Sequence, residues 1–181
     1  MRFDYIIIGG GQGDALLGRE LLSKGKSCAL ICQGRQSGDN SREAFRKAGG
    51  CLFMGDSVDK VFYSEDGSRI EALCTENLGS GSLLVADTYI LCSGRFFTRG
   101  LCSDMDKIYE PVFGADVQFE ADPSLWCRSD FFCRQPFEDF GLVCDEGFHA
   151  LKNGKHIENL IVAGDILCNG QNNIESLCKS L

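Results

Sequence analysis

The chain has 181 residues, 44% of them hydrophobic, and a formal net charge of −8. That length supplies enough apolar residues for one sizeable core. The acidic balance, with no cluster of Lys and Arg, excludes a nucleic-acid-binding surface, and no apolar run approaches the roughly 20 residues of a membrane span.

Residues 3–8 are almost continuously apolar and predict a buried parallel strand. Gly9-Gly10-Gly11-Gln12-Gly13 follows, and then a helix over 13–23, with Leu16, Leu17, Leu21 and Leu22 on its apolar face and Gly25 as its stop. Residues 27–33 predict a second apolar strand. A strand, a glycine turn, a helix and a strand within about thirty residues form a dinucleotide-binding βαβ unit. Gly9 permits the turn, and Gly11 lets the backbone approach a phosphate. The amides of Gln12 and Gly13 then face an anion at the helix start. Two positions differ from the fingerprint. Asp14 stands where the third glycine belongs and adds bulk and negative charge. The second strand ends in Gln33, followed by Gly34 and Arg35, without the carboxylate that would hold an adenosine ribose. That absence argues against an NAD-linked enzyme.

The polar segment 34–41 reads as a loop, 42–48 as a short helix and 51–54 as a short strand. Strands over 58–63, 68–75 and 83–92 predict a three-stranded antiparallel meander, its first turn marked by Asp66-Gly67. Residues 95–150 are dense in aromatics and hold all three prolines. They read as packed loops and short strands whose rings belong mostly to a core. Residues 159–163 form a late strand ending in Gly164-Asp165, and a polar tail follows. His149 and His156 fall in a polar, loop-like stretch and read as surface residues. The 11 cysteines include no Cys-x-x-Cys and read as small buried hydrophobes in a reducing cytosol, not as metal ligands.

Two further pieces belong to a flavoprotein pattern. Tyr89 to Gly94 resembles the strand-to-glycine crossover of two-dinucleotide-binding flavoproteins and Ile157 to Asp165 their late strand, a resemblance that implies an aspartate at the ribityl or phosphate-side hydroxyls of a flavin. The expected fold is thus α/β: a Rossmann-like FAD/NAD(P)-binding fold with a central parallel sheet, helices and the meander.

Ser93-Gly94-Arg95-Phe96-Phe97, Glu110-Pro111-Val112-Phe113-Gly114, Asp130-Phe131-Phe132, Gln135-Pro136-Phe137 and Ile157-Glu158-Asn159-Leu160, in that order, resemble the B subunit of bacterial anaerobic glycerol-3-phosphate dehydrogenase. The resemblance implies a flavin-binding subunit, with FMN as cofactor and FAD as the alternative. It also implies a catalytic FAD subunit and an iron–sulfur membrane-anchor subunit as partners. Electrons would pass from glycerol 3-phosphate oxidation towards quinone, in a cytoplasmic protein held at the inner face of the membrane through a partner. The family chain is longer. Its inserted domain lies where this chain has the loop 34–41, and it continues after the Gly-Asp strand into a glycine-rich turn and a last helix, where this chain has Gln171 to Cys178 without such glycines. The expectation is one domain, 1–181, with cofactor contacts at Gly9, Gly11, Gln12, Gly13, Gly94 and Asp165. No catalytic acid or base is identifiable and no metal site is expected. The alternative is a flavoprotein-like binding or scaffold module with an empty cleft.

Overall fold

A computed structural model describes residues 1–34, 40–79 and 81–181. Most of the expected loop 34–41, including Arg35, lies outside the described residues. The sheet is built outward from β1 (Arg2–Ile8), whose Ile6, Ile7 and Ile8 are all buried. β1 pairs in parallel with β2 (Cys28–Cys32) after α1 (Gln12–Ser23), and β2 pairs in parallel with β3 (Cys51–Met54) after α2 (Asn40–Lys47). The chain then forms the hairpin β4 (Val58–Tyr63) and β5 (Ile70–Thr75). It returns as β6 (Val85–Leu91) to the other side of β1, again in parallel. The expected third meander strand meets the hairpin through one antiparallel bridge, Leu73 to Leu84, and then enters the parallel sheet as β6.

Two short antiparallel pairs follow. They are β7 (Cys102–Ser103) with β8 (Ile108–Tyr109), and β9 (Val117–Gln118) with β10 (Gly141–Leu142). β11 (His149–Lys152) is antiparallel to β12 (Lys155–Val162), and β12 lies parallel to β6. The six-stranded order is β11-β12-β6-β1-β2-β3, a Rossmann-like α/β sheet. Its switch point falls between β1 and β6, because the chain leaves β1 to one side and later returns to the other.

Both faces of the sheet are buried, and the strand alternation divides them. Ile7, Leu30, Ile90 and Ile161 pack towards the helices with Leu17, Leu21 and Phe45. Ile6, Ile8, Ile31, Tyr89 and Leu160 pack towards the hairpin and the aromatic segment with Phe113 and Phe140. The inner face of α1 is Asp14, Ala15, Leu17, Gly18 and Leu21, whereas Leu16 is exposed. The helix therefore turns a narrower face inward than its four leucines suggest. Most aromatics join the core as expected, but Phe97, Phe131 and Phe132 are exposed. The polar tail closes in a short helix, α3 (Ile174–Ser180), which buries Leu177 and packs against α1. Cys28, Cys32, Cys74 and Cys92 are buried, and burial pushes the Cys28 thiol up to about 12.

Long-range polar bonds fasten these layers. Asn159 in β12 accepts from the Ile70 N–H and donates to the Ile70 carbonyl, both at 2.9 Å, and so pins the hairpin to the sheet. Buried Asn173 accepts from the Gly164 N–H at 3.0 Å and donates to the Val162 carbonyl at 3.0 Å. It holds the start of α3 against the end of β12.

Candidate functional site

Strand ends leave backbone groups without ladder partners, and in open α/β sheets a ligand crevice forms beyond the carboxyl ends of the strands. Here a cleft of about 720 Å³ lies at the carboxyl ends of β1, β2, β6 and β12. Cofactor clefts occupy roughly 300–1,000 Å³. Gly9, Gly11, Gln12, Gly13, Gly94 and Asp165 all line it. The structure thus gathers residues separated by more than 150 positions in sequence around one space.

The glycine turn is held tightly. A β-carbon on Gly9 would stand 2.8 Å from the Cys92 carbonyl oxygen, and one on Gly13 would stand 2.7 Å from Ile174 Cδ1. The backbone contact makes close approach, more than φ freedom, the reason for glycine at Gly9, whereas at Gly13 the tip of the Ile174 side chain could yield. Asp14 also lines the cleft, but its carboxylate turns back onto the glycine turn. It is 4% exposed, and its Oδ2 accepts from the Gly10 N–H at 2.6 Å and the Gly11 N–H at 2.7 Å. The carboxylate sits at the third helical position and closes the turn from within, as a helix-start carboxylate does. Burial pushes its carboxyl above the usual range, against the pull of those two amides, the Cys92 thiol and Arg42. The amides of Gln12 and Gly13 at the first turn of α1 are not used by Asp14.

The structure adds Arg42, which no sequence motif marks. A cation in the first turn of a helix opposes the helix dipole, and that misplacement is the one signal the sequence offers. Its guanidinium leaves α2 and donates to the Gly10 carbonyl from both Nε and Nη2, and to the Gly34 carbonyl at 3.1 Å. It thereby joins the glycine turn to the end of β2. Gln33 lines the cleft, as does Asp56, whose carboxylate accepts from the Ser57 and Asn77 amides. A carboxylate does therefore stand at this end of the cleft, after β3 instead of β2.

The opposite end is built by the segment after β6. Gly94 takes φ +70°, a left-handed conformation that favours glycine. Arg95 donates to three carbonyls, Asp165 at 2.6 Å, Leu167 at 3.1 Å and Glu138. It ties the crossover to the Gly164-Asp165 turn. The Asp165 carboxylate accepts from Asn172 at 3.2 Å. Ser93 lines this wall, and its hydroxyl is buried without a partner among the described residues. Helix-start amides that Asp14 leaves open and an aspartate at the rim fit a polar, phosphate-bearing ligand.

His149 and His156 lie on β11 and β12, not in a loop. Both imidazoles converge on Asp145 Oδ2, at 3.1 and 3.2 Å. Burial raises the Asp145 carboxyl, but the His149 N–H and ring outweigh it and hold it below its ordinary value. None of the three lines the cleft. Among the described residues no group of three or more His, Cys, Asp and Glu is arranged to hold a metal ion, and no helix is long and apolar enough to cross a membrane.

The family described as "FAD binding domain" matches residues 34–180. Among curated proteins, the anaerobic glycerol-3-phosphate dehydrogenase B subunit from Actinobacillus succinogenes is 38% identical over 144 residues, covering 77% of this chain and 33% of that protein. The Vibrio vulnificus protein of the same name is 37% identical over 128 residues, covering 70% of this chain and 29% of its own length. The chain thus spans about a third of the length of the curated relatives it matches. Among solved structures, PqsL of Pseudomonas aeruginosa, titled a probable FAD-dependent monooxygenase, covers 52% of this chain and 43% of its own at 12% identity and a TM-score of 0.41.

Proposed function

Since the chain belongs to the FAD binding domain family, we propose that its cleft is a flavin site and that FAD is the flavin it takes. The supporting observation is the convergence of the glycine turn, the Gly94 crossover and Asp165 on one cleft. In this reading the Gln12 and Gly13 amides hold phosphate, Gly94 stands beside the ring side, and Asp165 binds the ribityl hydroxyls. Asp56, after β3, takes the ribose position that Gln33 cannot fill. The family match favours FAD over the FMN that the first resemblance implied.

The relatives are subunits of an oxidoreductase by name. We read this chain as a flavoprotein oxidoreductase subunit of the same type, working with a catalytic subunit and an iron–sulfur subunit in a cytoplasmic, membrane-peripheral complex. A bound flavin supplies electron transfer; the residues of this chain bind it, orient it and exclude water. Residues 1–181 then act as one flavin-binding unit, with 34–41 at the position of the inserted domain of longer relatives.

A second reading, a scaffold module without cofactor, has one observation behind it. Asp14 already occupies the Gly10 and Gly11 amides with a negative charge. One experiment separates the two. The purified protein is titrated with FAD and with FMN, following visible absorbance and heat. Saturable FAD binding at micromolar concentration, tighter than FMN, is expected. Binding of neither flavin sinks the flavin reading and leaves the scaffold reading.

A further inference from the structure

Phe97 is 100% exposed, yet it belongs to the lining of the cleft and is its one aromatic residue among those described. Isolated exposed aromatics are ordinary on protein surfaces. This one is presented by a rigid turn. Its neighbour Phe96 points the other way and packs edge-on against Phe137, with centroids 6.1 Å apart and planes at 84°. The Thr98 hydroxyl donates to the Ser93 carbonyl at 2.6 Å and lies 3.1 Å from the Arg95 carbonyl. The turn is entered through Gly94 at φ +70° and left through Arg99 at φ +63°, and Arg95 anchors it to Asp165 and Leu167. The backbone thus commits one ring of the Phe96-Phe97 pair to the core and holds the other in solvent.

The place of the ring in the sheet decides what it faces. Phe97 follows β6 and stands on the side of the switch point shared with β12 and Asp165. Gln33 and Asp56, at the ends of β2 and β3, lie on the opposite side of β1. A dinucleotide with its phosphates at the glycine turn has its flavin half on the Phe97 side and its adenosine half on the Asp56 side.

We infer that Phe97 is the stacking surface for the isoalloxazine ring, an assignment that rests on reading the cleft as a flavin site. The exposed ring is apolar and planar and stands on a hydrogen-bonded turn, so covering it with a flat heterocycle removes apolar surface from water without rearranging the backbone.

The test is FAD titration of the wild type, Phe97→Ala and Phe97→Trp, read by calorimetry and by flavin fluorescence. Phe97→Ala should weaken FAD binding about tenfold, the scale of an aromatic stacking contact. Its melting temperature should not change, because the side chain touches no core. Phe97→Trp should keep the affinity within about threefold and strongly quench bound-flavin emission, since an indole quenches a flavin it contacts and no other Trp or Tyr is among the described lining residues. Wild-type affinity in Phe97→Ala, or bound FAD as bright on Phe97→Trp as on the wild type, overturns the assignment. A wild-type protein that takes no FAD overturns the reading of the cleft itself, and this assignment with it.

Discussion

Removing the Asp14 carboxylate should move stability and flavin affinity in opposite directions. Its Oδ2 satisfies two turn amides, at 2.6 and 2.7 Å, in a site only 4% exposed. Asp14→Ala leaves both N–H groups facing no acceptor, at about 1 kcal/mol or more each. The loss of about 2 kcal/mol corresponds to roughly 4–8 °C in melting temperature for a chain of this size. Asp14→Asn keeps an oxygen in place and should stay within about 1 kcal/mol of the wild type. For a diphosphate ligand the charge itself is the obstacle. A like charge at about twice contact distance in a partly buried site is worth roughly 2 kcal/mol. Both variants should therefore bind FAD about tenfold or more tightly than the wild type, with Asp14→Ala gaining further from two freed amides. The pH dependence has a definite sign. Burial raises the folded-state value above 3.8, so the folded state holds the proton more firmly than the unfolded chain. The associated stability is present below that value and is lost as pH rises through the raised folded value. The stability of Asp14→Asn relative to the wild type should accordingly improve as pH rises from about 4. Differential scanning fluorimetry across pH and FAD calorimetry measure both effects. An unchanged melting temperature in Asp14→Ala would show that the carboxylate does not hold the turn. Unchanged or weaker FAD binding in both variants would refute a phosphate seat beside it.

Asn159→Leu should cost about 2–4 kcal/mol by urea denaturation, because it orphans the N–H and the carbonyl of Ile70 inside the core. A loss under about 1 kcal/mol would mean that the β5 edge finds other partners. Arg95→Ala should weaken FAD binding several-fold and speed amide exchange over 93–101 and 164–168, because it cuts the tie between the crossover and the Asp165 turn. Unchanged exchange in both segments would show that the tie is not what orders them.

The βαβ start is legible in the sequence because its signals are local. Three consecutive isoleucines, a glycine turn and a leucine-bearing helix each carry their own period within a few residues. The segment 102–142 is not legible in that way. Its strands are two residues long, and its turns are stapled by side chains onto nearby amides, such as Glu110 onto Val112 and Phe113, and Gln135 onto Arg128. Such staples follow no periodicity. α3 spans only seven residues, too few for a helical repeat to stand out from a polar tail. At the site, the glycines and Asp165 can be named from motif spacing. Arg42 and Arg95 cannot, since their partners lie up to 32 and up to 72 residues away. Asp14 stands out in the sequence as a charge at a glycine position, but the direction of its side chain depends on a burial that spacing does not encode.

These long-range ties bear on how the cleft works. Arg42 joins the glycine turn to the end of β2, Arg95 joins the crossover to the end of β12, and Asn173 joins α3 to that same strand end. Each uses a side chain to satisfy carbonyls or amides that strand ends leave open, so the cleft walls are fixed by the protein's own hydrogen bonds before any ligand arrives. A pre-formed wall lowers the ordering cost of binding but adds no attraction. Attraction must come from groups that the ties leave unused. Among the described lining residues these include the Gln12 and Gly13 amides, the Asp56 carboxylate, part of the Asp165 carboxylate and the Phe97 ring. Against them stands the Asp14 charge. The balance predicts a cleft that keeps its shape when empty and whose flavin affinity is set by a small number of side chains. Single substitutions at Asp14 and Phe97 should then move affinity by an order of magnitude while the sheet beneath them stays unchanged.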